Sequence, residues 1–443
     1  MKLLRRNWLP LLGAALILAG VIAWRFLFLP GALDFAGGTQ VALADYRGAS
    51  PTGVPAELAN ATPLAKGKYL AEAADCAACH TAKGGKPYAG GRPFKLPFGT
   101  IYTPNITPDS ETGIGDWTDA QFLRAVHKGI SRTGERLYPA FPYASYAMLT
   151  DADVLAIRSY LATLPAIKQE NRPNTFVFPF NQRWLMAIWG TFFNPDQRFR
   201  PVVERSAQWN RGAYLVEAAG HCGECHSPRT LMQAMDTRRK FAGGQAEGWN
   251  AYNITSDRLS GIGAWSDESI AQYLAKGFAP GHGVASGPMA EAVELSTSRM
   301  TPSDVAAMVT YLRSIPAVRT KSSPQMAGPA AAVASQGPSG NALGKRIFEG
   351  ACTSCHAWSG HGAITPDQQL TANRAVNDGT AANVALMILN GTGSPERSGT
   401  FMPAFRRAYT DAEIAAVANY VTARFGARPS KITASDVNRM REE

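Results

Sequence analysis

Cys76-Ala77-Ala78-Cys79-His80 is the stretch of sequence that decides how this chain folds. Two thiols separated by two residues and followed at once by a histidine are typical of covalent c-type haem attachment. The thiols bond to the haem vinyl groups, and the adjacent imidazole binds the iron as an axial ligand. The pattern therefore predicts a covalently bound haem at this point in the chain.

The same pattern occurs twice more. It recurs as Cys222-Gly223-Glu224-Cys225-His226 and as Cys352-Thr353-Ser354-Cys355-His356, so that the three copies use all six cysteines of the chain. We therefore predict three haems c. The predicted attachment residues and proximal iron ligands are Cys76, Cys79 and His80, then Cys222, Cys225 and His226, and finally Cys352, Cys355 and His356.

Other uses of paired cysteines fit the sequence less well. A redox-active Cys-x-x-Cys pair needs no following histidine and is typical of a βαβ context that is not seen here. Zinc would need two further ligands at each site, and only four histidines lie outside the three motifs. A disulfide between residues so close in sequence would tie no distant segments together. Haem attachment is the interpretation that accounts for all three copies.

Length and charge are consistent with this interpretation. The chain has 443 residues, enough for about three domains. It carries 44 Lys and Arg against 34 Asp and Glu, for a formal charge of +10, which haem propionates would partly offset. The basic residues are scattered rather than clustered with aromatic residues, so we expect no nucleic-acid partner.

The N-terminal segment predicts a membrane anchor. A basic start precedes an uncharged apolar run from Trp8 to Trp24, which continues past Arg25 to Leu29. A spanning helix needs roughly 20 apolar residues, and basic residues stay on the cytoplasmic side. We therefore expect an anchor in the bacterial inner membrane, with the haem domains in the periplasm. The alternative is a cleaved signal peptide, for which Ala42-Leu43-Ala44 has a suitable pattern of small residues.

An internal repeat surrounds the first two haem motifs. Gly67-Lys68-Tyr69-Leu70 matches Gly212-Ala213-Tyr214-Leu215 ahead of each motif. Downstream, two further blocks recur, namely Asn105-Ile106-Thr107 with Gly113-Ile114-Gly115, and Asn253-Ile254-Thr255 with Gly261-Ile262-Gly263. The repeat predicts two similar domains.

Apolar periodicity predicts the helices of each unit. A helix is expected from Asp119 to Gly129 and another from Asp267 to Gly277. Closing helices should begin at the caps Thr150 and Thr301, and a third at Thr410 in a shorter last unit. A helix that ends in the haem motif, with a closing helix packed across it, is the layout of a small cytochrome c domain.

We therefore predict an all-α fold, with three tandem cytochrome c-like haem domains behind an N-terminal transmembrane helix. The predicted segments are a membrane anchor (1–30), a tether (31–61), domain 1 (62–170), an aromatic connector (171–205), domain 2 (206–320), a linker (321–340), domain 3 (341–426) and a C-terminal tail (427–443). The connector is rich in Phe and Trp. It either packs the first two domains together or exposes an apolar surface to a partner or to quinone.

The sixth iron ligands are predicted from methionines in loops, because Met is a frequent second axial ligand in c-type cytochromes. Met402, which is followed by Pro403 ahead of the Thr410 cap, is the candidate in the third unit. Met289 is the candidate in the second unit, and Met300 is its rival.

The first unit departs from this pattern. The position that matches Met289 by its distance from the haem histidine is Phe141, which cannot bind iron. Met148 is the nearest substitute and is our predicted ligand, with His127 or an unfilled sixth position as the alternatives.

These motifs resemble the triple-haem cytochrome c subunit of bacterial membrane-bound alcohol, aldehyde, gluconate and sorbitol or fructose dehydrogenases. The resemblance includes Leu137-Tyr138-Pro139-Ala140, Gly220-His221 before the second haem motif, and Met402-Pro403. It implies Met ligands at Met289 and Met402. Alcohol-oxidising members have Met where this chain has Phe141, and many members have a cleaved signal peptide. Phe141 and the expected anchor therefore favour the aldehyde-oxidising, molybdenum-dependent type.

The resemblance implies an electron-transfer subunit without substrate chemistry of its own. Such a subunit takes electrons from a catalytic subunit that carries molybdenum, pyrroloquinoline quinone or flavin, and passes them to ubiquinone in the membrane. Two alternatives remain open at this point. One is a haem enzyme such as a peroxidase, with an open first iron. The other is a stand-alone or oxidase-linked electron carrier.

Overall fold

The computed structural model describes residues 8–27, 37–194, 196–320, 341–392 and 401–442. The predicted linker (321–340) lies outside these residues. The helices are α1 (Trp8–Leu27), α2 (Pro63–Ala73), α3 (Cys76–His80), α4 (Asp119–Lys128), α5 (Tyr143–Tyr146), α6 (Asp151–Leu161), α7 (Leu185–Phe193), α8 (Ala207–Tyr214), α9 (Gly223–His226), α10 (Asp267–Lys276), α11 (Pro288–Leu295), α12 (Pro302–Ser314), α13 (Ala342–Ile347), α14 (Thr353–His356), α15 (Arg374–Asn377), α16 (Ala382–Asn390), α17 (Asp411–Phe425) and α18 (Ala434–Glu442).

Short irregular helices and three small sheets complete the fold of the described residues. Single turns of 3-10 helix lie at Leu43–Asp45, Ala56–Leu58, Thr237–Arg239, Thr297–Arg299 and Pro366–Gln368, and π-helical turns extend α8 and α13 over Leu215–Ala219 and Phe348–Cys352. The antiparallel strand pairs are β1 (Pro93–Leu96) with β2 (Gly99–Tyr102), β3 (Gly244–Ala246) with β4 (Trp249–Ala251), and β5 (Phe278–Ala279) with β6 (Gly283–Val284).

The predicted fold class is wrong in two respects. The fold is mainly helical but not all-α, because loops that follow the first two haem motifs pair locally into β-hairpins. The predicted transmembrane helix is also incorrect. In the described parts of the chain, no helix is both long and apolar enough to cross a membrane. Within α1 the uncharged run Trp8–Trp24 ends at Arg25, short of the roughly 20 apolar residues that a bilayer core requires.

The predicted helix boundaries of the haem units are confirmed. Thr150, Thr301 and Thr410 cap α6, α12 and α17, and each hydroxyl accepts a hydrogen bond from the backbone N–H of the third helical residue. The helix α4 ends at Gly129, and α10 ends at Gly277. Both glycines adopt left-handed backbone angles, with φ of 60° and 73°.

A glycine in each N-terminal helix allows the closing helix to cross it closely. Gly67, Gly212 and Gly344 face the backbone carbonyls of Ala156, Ala307 and Ala416, where a Cβ atom would collide. The pairs α2 with α6, α8 with α12, and α13 with α17 therefore form the same crossing in all three units. This crossing fixes where the haem motif emerges at the end of the first helix.

Units one and two share one hydrophobic core, whereas unit three has its own. The first core includes Leu70 and Val154 from unit one, and Leu215 and Met308 from unit two. The core of unit three packs around Phe348, and it also buries Trp249 of unit two. Two hydrogen bonds join units two and three. The side-chain amide of Asn383 accepts from the backbone N–H of Asn250 at 2.9 Å and donates to the carbonyl oxygen of Asn250 at 3.0 Å.

The aromatic connector has one buried and one exposed face. On α7, Trp189 and Phe193 are buried, and the Trp189 indole donates to the carbonyl oxygen of Met232 at 2.8 Å. Trp184, Ile188 and Phe192 are spaced four residues apart along the same segment and are 61%, 48% and 50% exposed. The buried face packs the connector against units one and two, and the use of the exposed face for a partner or quinone stays a prediction.

Candidate haem sites

Each haem motif forms a short helix directly after the N-terminal helix of its unit. The motif of unit one lies on α3, while those of units two and three lead into α9 and α14. All six thiols are free. Among the described residues, no group of three or more His, Cys, Asp and Glu side chains is arranged to hold a metal ion.

The three motif histidines are held in the same way. The Nδ1 atom of His80 lies 2.8 Å from the carbonyl oxygen of Pro104, that of His226 lies 2.7 Å from Tyr252, and that of His356 lies 2.6 Å from Gln368. A carbonyl can only accept, so Nδ1 carries the proton and Nε2 presents a lone pair. Burial lowers the pKa of all three imidazoles, which favours the neutral form that binds iron.

The cysteines lie in apolar surroundings. Burial raises the pKa of Cys76 and Cys79 to about 12, and it raises the pKa of Cys222 to about 12 and of Cys225 to about 11. Burial also raises the pKa of Cys352 to about 11. A redox-active or nucleophilic cysteine requires the opposite shift. Buried thiols beside a neutral histidine with a free Nε2 fit covalent haem, which would supply reversible one-electron chemistry at the iron.

The predicted methionine ligands of units two and three each pack against a hydrophobic core, and their binding to iron stays a prediction. Met289 is the second residue of α11 and packs against the core that also contacts Cys222. Met402 packs against the core of unit three, as does Cys352. Met300 is only 8% exposed and belongs to the core, so its packing supports a structural role.

The first unit has a different arrangement. Phe141 packs with its ring centroid 5.5 Å from that of Tyr146, whose hydroxyl donates to the Ala74 carbonyl at 2.5 Å. Met148 lines a cavity of about 330 Å³ between the first unit, the connector and the second unit. The described lining of this cavity contains no cysteine or histidine. Met148 as an iron ligand stays a prediction.

His127 is poorly arranged to bind iron. It is 2% exposed, and a guanidinium nitrogen of Arg198 lies 2.6 Å from its Nδ1. Arginine can only donate, so Nδ1 accepts and the proton resides on Nε2. The imidazole therefore presents an N–H group rather than a lone pair to its buried surroundings.

Ion pairs of Arg92 that the sequence did not indicate join the region of the first haem motif to unit two. Arg92 donates to the carbonyl oxygen of Ala78 inside the first motif at 2.6 Å. Its guanidinium also contacts Glu291 at 2.5 Å and Glu247 at 3.0 Å, both in unit two. Since these partners lie far away in the sequence, no local spacing could have identified Arg92.

The fold and these sites together define a c-type cytochrome. A cytochrome c family model matches residues 64–165 and 341–424, which include the first and third haem motifs. The chain is 34% identical over 410 residues to the gluconate 2-dehydrogenase cytochrome c subunit of Pantoea cypripedii, covering 87% of this chain and 91% of that protein. It is 37% identical over 418 residues to the fructose dehydrogenase cytochrome subunit of Gluconobacter japonicus, covering 89% and 85%.

The chain is also 42% identical over 375 residues to a nicotinate dehydrogenase subunit of Pseudomonas putida. That match covers 83% of this chain but only 31% of the relative, so the chain spans about a third of its length. The chain belongs to the family of cytochrome c subunits of dehydrogenases, as its motifs predicted. It is an electron-transfer subunit with covalently bound haem c.

Proposed function

We propose that this chain carries three covalent haems c and relays electrons from a separate catalytic dehydrogenase subunit to ubiquinone, at the periplasmic face of the bacterial inner membrane. The observation that carries this proposal is the repeated histidine geometry. His80, His226 and His356 each have Nδ1 bonded to a backbone carbonyl, which leaves three equivalent Nε2 lone pairs for iron.

The packing of the units supports a relay through the chain. Arg92 joins the first haem motif to Glu247 of unit two, and unit two contacts unit three through Asn250 and Asn383. Cofactors held in units that share cores and hydrogen bonds keep constant separations, as sequential electron transfer requires.

The exposed face of α7 supports an apolar acceptor. Trp184, Ile188 and Phe192 form one stripe, and Leu185–Phe193 contains no charged residue. An aromatic stripe of this kind suits the boundary of a lipid bilayer, where ubiquinone resides. For the catalytic partner, Phe141 at the position of the expected methionine favours the molybdenum-dependent, aldehyde-oxidising type.

Haem quantitation and co-purification test the proposal. Pyridine haemochrome absorbance against protein mass should give three haems per chain, and a tagged chain should co-purify from membranes with a cofactor-bearing dehydrogenase subunit. A fully matured preparation with fewer than three haems would contradict the haem number. A purified complex that oxidises its substrate but cannot reduce a water-soluble ubiquinone analogue would contradict the acceptor.

A vesicle assay tests the α7 stripe separately. A triple variant with Trp184→Ser, Ile188→Ser and Phe192→Ser should bind neutral phosphatidylcholine vesicles on the order of a hundredfold more weakly, because the apolar area available for burial is reduced. The matched control replaces Leu64, Leu259 and Ile364, which are also exposed but lie elsewhere. Equal losses in both triple variants would reject α7 as the membrane-facing element.

A second candidate, a haem enzyme with an open first iron, is favoured by one observation. Phe141 cannot bind iron, and His127 presents an N–H group. Carbon monoxide binding to the reduced chain, together with peroxide turnover, would favour this candidate over a pure relay.

A further inference from the structure

Arg374 is a buried cation that unit three inserts into unit two. It is the first residue of α15 and is 8% exposed. Its terminal nitrogens donate to the carbonyl oxygen of Asn253 at 3.2 Å and to that of Ser260 at 2.9 Å. Both acceptors belong to the repeated Asn-Ile-Thr and Gly-Ile-Gly region of unit two, which follows the second haem motif.

Arg374 forms no ion pair with a carboxylate among the residues that the structure describes. The nearby carboxylate of Asp378 accepts instead from the Asn250 amide at 2.9 Å and from the Tyr252 hydroxyl at 3.3 Å. Burial lowers the pKa of Arg374, yet a guanidinium keeps its proton in proteins. The charge of Asp378 acts on Arg374 without a hydrogen bond between them, and a desolvated cation bonded directly only to neutral carbonyls is unfavourable unless a further anion binds it.

The groups around Arg374 belong to the second haem site. Its guanidinium carbon lies 5.0 Å from the ring centroid of Tyr252, whose carbonyl oxygen holds Nδ1 of His226. His282 packs its ring 3.9 Å from that of Trp265, and its buried Nδ1 has no hydrogen-bond partner among the described residues. Burial, followed by the charge of Arg374, lowers the pKa of His282 to about 4. A cation and an unsatisfied buried imidazole nitrogen therefore lie together beside the proximal histidine.

Unit one provides an internal comparison. There the carbonyl oxygen of Thr112, which corresponds to that of Ser260, accepts from the Asn171 amide at 3.0 Å. The Asn171 oxygen accepts from the backbone N–H of Asn105 at 2.7 Å. The neutral side chain of Asn171, the first residue of the connector, thus satisfies the site in unit one, so the fold itself does not require a positive charge there. The charge at Arg374 is specific to unit two.

We propose that Arg374 of unit three binds a propionate of the haem attached to unit two. This inference rests on the proposed three-haem function. A haem propionate is an anion at the edge of the covalently bound group, and a guanidinium binds carboxylates through parallel N–H donors. The second haem is then shared between two units, and its reduction potential depends on the positive charge that Arg374 of unit three supplies.

Spectroelectrochemical titration of the full-length, haem-loaded chain tests this assignment. A buried positive charge disfavours the ferric haem, which carries one more positive charge than the ferrous haem. Arg374→Gln should therefore lower the midpoint potential of one haem. The expected change in its oxidised-to-reduced ratio at fixed potential is about tenfold, which corresponds to 59 mV for a one-electron couple. Arg374→Lys should give a smaller shift in midpoint potential, because lysine keeps the positive charge but lacks the parallel N–H donors of the planar guanidinium.

Asn383→Ala is the matched control. It removes the two hydrogen bonds between the Asn383 side chain and the Asn250 backbone without removing a charge. All three midpoint potentials should therefore stay unchanged. The haem that responds to Arg374→Gln should be the one that responds to Met289→Ala. Three unchanged midpoints in Arg374→Gln would overturn the proposal, as would an equal shift in Asn383→Ala. A wild-type count below three haems would overturn the proposed function instead.

Discussion

The hydroxyl group of Tyr69 in unit one donates a 2.6 Å hydrogen bond to the carboxylate of Asp304 in unit two, and a matching bond runs the other way. Tyr214 of unit two donates to Asp153 of unit one at 2.5 Å. Each tyrosine thus reaches the first turn of the closing helix in the neighbouring unit. Burial and the facing carboxylate raise the pKa of both phenols, so both keep the proton that makes the bond. The two units therefore pair through equivalent contacts about a pseudo-two-fold axis.

The two tyrosine bonds should differ in their contribution to stability. Asp304 also forms an ion pair with Arg211 at 2.7 Å. Asp153 instead accepts a hydrogen bond from the backbone N–H of Gly53 at 3.0 Å. Tyr214→Phe should therefore cost about 2–3 kcal/mol and Tyr69→Phe about 1 kcal/mol, because a buried carboxylate left with a single neutral donor is more costly than one that keeps an ion pair.

Differential scanning calorimetry of the haem-loaded chain measures this difference as a shift in the transition of units one and two. Tyr409→Phe in unit three is the control and should leave that transition in place. Equal costs for the two tyrosines would contradict the expected asymmetry.

Met289→Ala and Met402→Ala should each lower the midpoint potential of one haem, because a thioether ligand favours the ferrous state. Redox titration monitored in the α-band measures both effects. Met300→Ala is the control, since Met300 belongs to the core. It should cost about 2–5 kcal/mol of stability without changing a haem spectrum. If both ligand variants keep all three midpoints, the sixth ligands lie elsewhere.

Met148→Ala should convert the first haem to a high-spin or water-ligated form with a lower potential and new reactivity towards carbon monoxide. The reason is that Phe141 leaves Met148 as the predicted sixth ligand. Absorption and magnetic circular dichroism spectra of the ferric and ferrous protein test this. An unchanged spectrum in Met148→Ala, beside a changed one in Phe141→Met, would reject Met148 as the ligand.

Acid should destabilise the protein through His127. Burial, followed by the charge of Arg198, lowers the pKa of His127 to about 4, whereas an unfolded histidine titrates near 6.5. Between these values the unfolded state binds the extra proton. The contribution of neutral His127 to the free energy of unfolding is thus complete above about pH 6.5. It decreases by about 2–3 kcal/mol as the pH falls towards 4.

Melting temperature measured against pH tests this in the wild type and in His127→Gln, which should lose much of the decrease. His361→Gln, at an exposed histidine, is the control and should follow the wild type. A His127→Gln profile that still falls as steeply as that of the wild type would assign the acid sensitivity to other groups.

Local sequence was sufficient for the haem motifs, the helix caps and the repeat. The Cys-x-x-Cys-His spacing reflects chemistry within five consecutive residues, and Thr150 or Thr301 caps a helix through a neighbour three positions away. The same reasoning failed for α1, where hydrophobicity alone predicted a membrane span, and for the β-hairpins, whose short strands lack a clear alternating pattern. Features that depend on a few adjacent residues were therefore predictable, within those limits.

The sequence by itself determined that this chain forms repeated haem-binding units of the cytochrome c type, because thioether attachment and capping need residues at short, fixed separations. Only the tertiary structure decided how those units combine. Tyr69 donates a hydrogen bond to Asp304, 235 positions away in the sequence, and Arg374 donates one to Asn253, 121 positions away. No local period encodes such pairs. They arise because closely crossed helices and shared cores bring distant surfaces together, and burial then requires each polar group to find a partner.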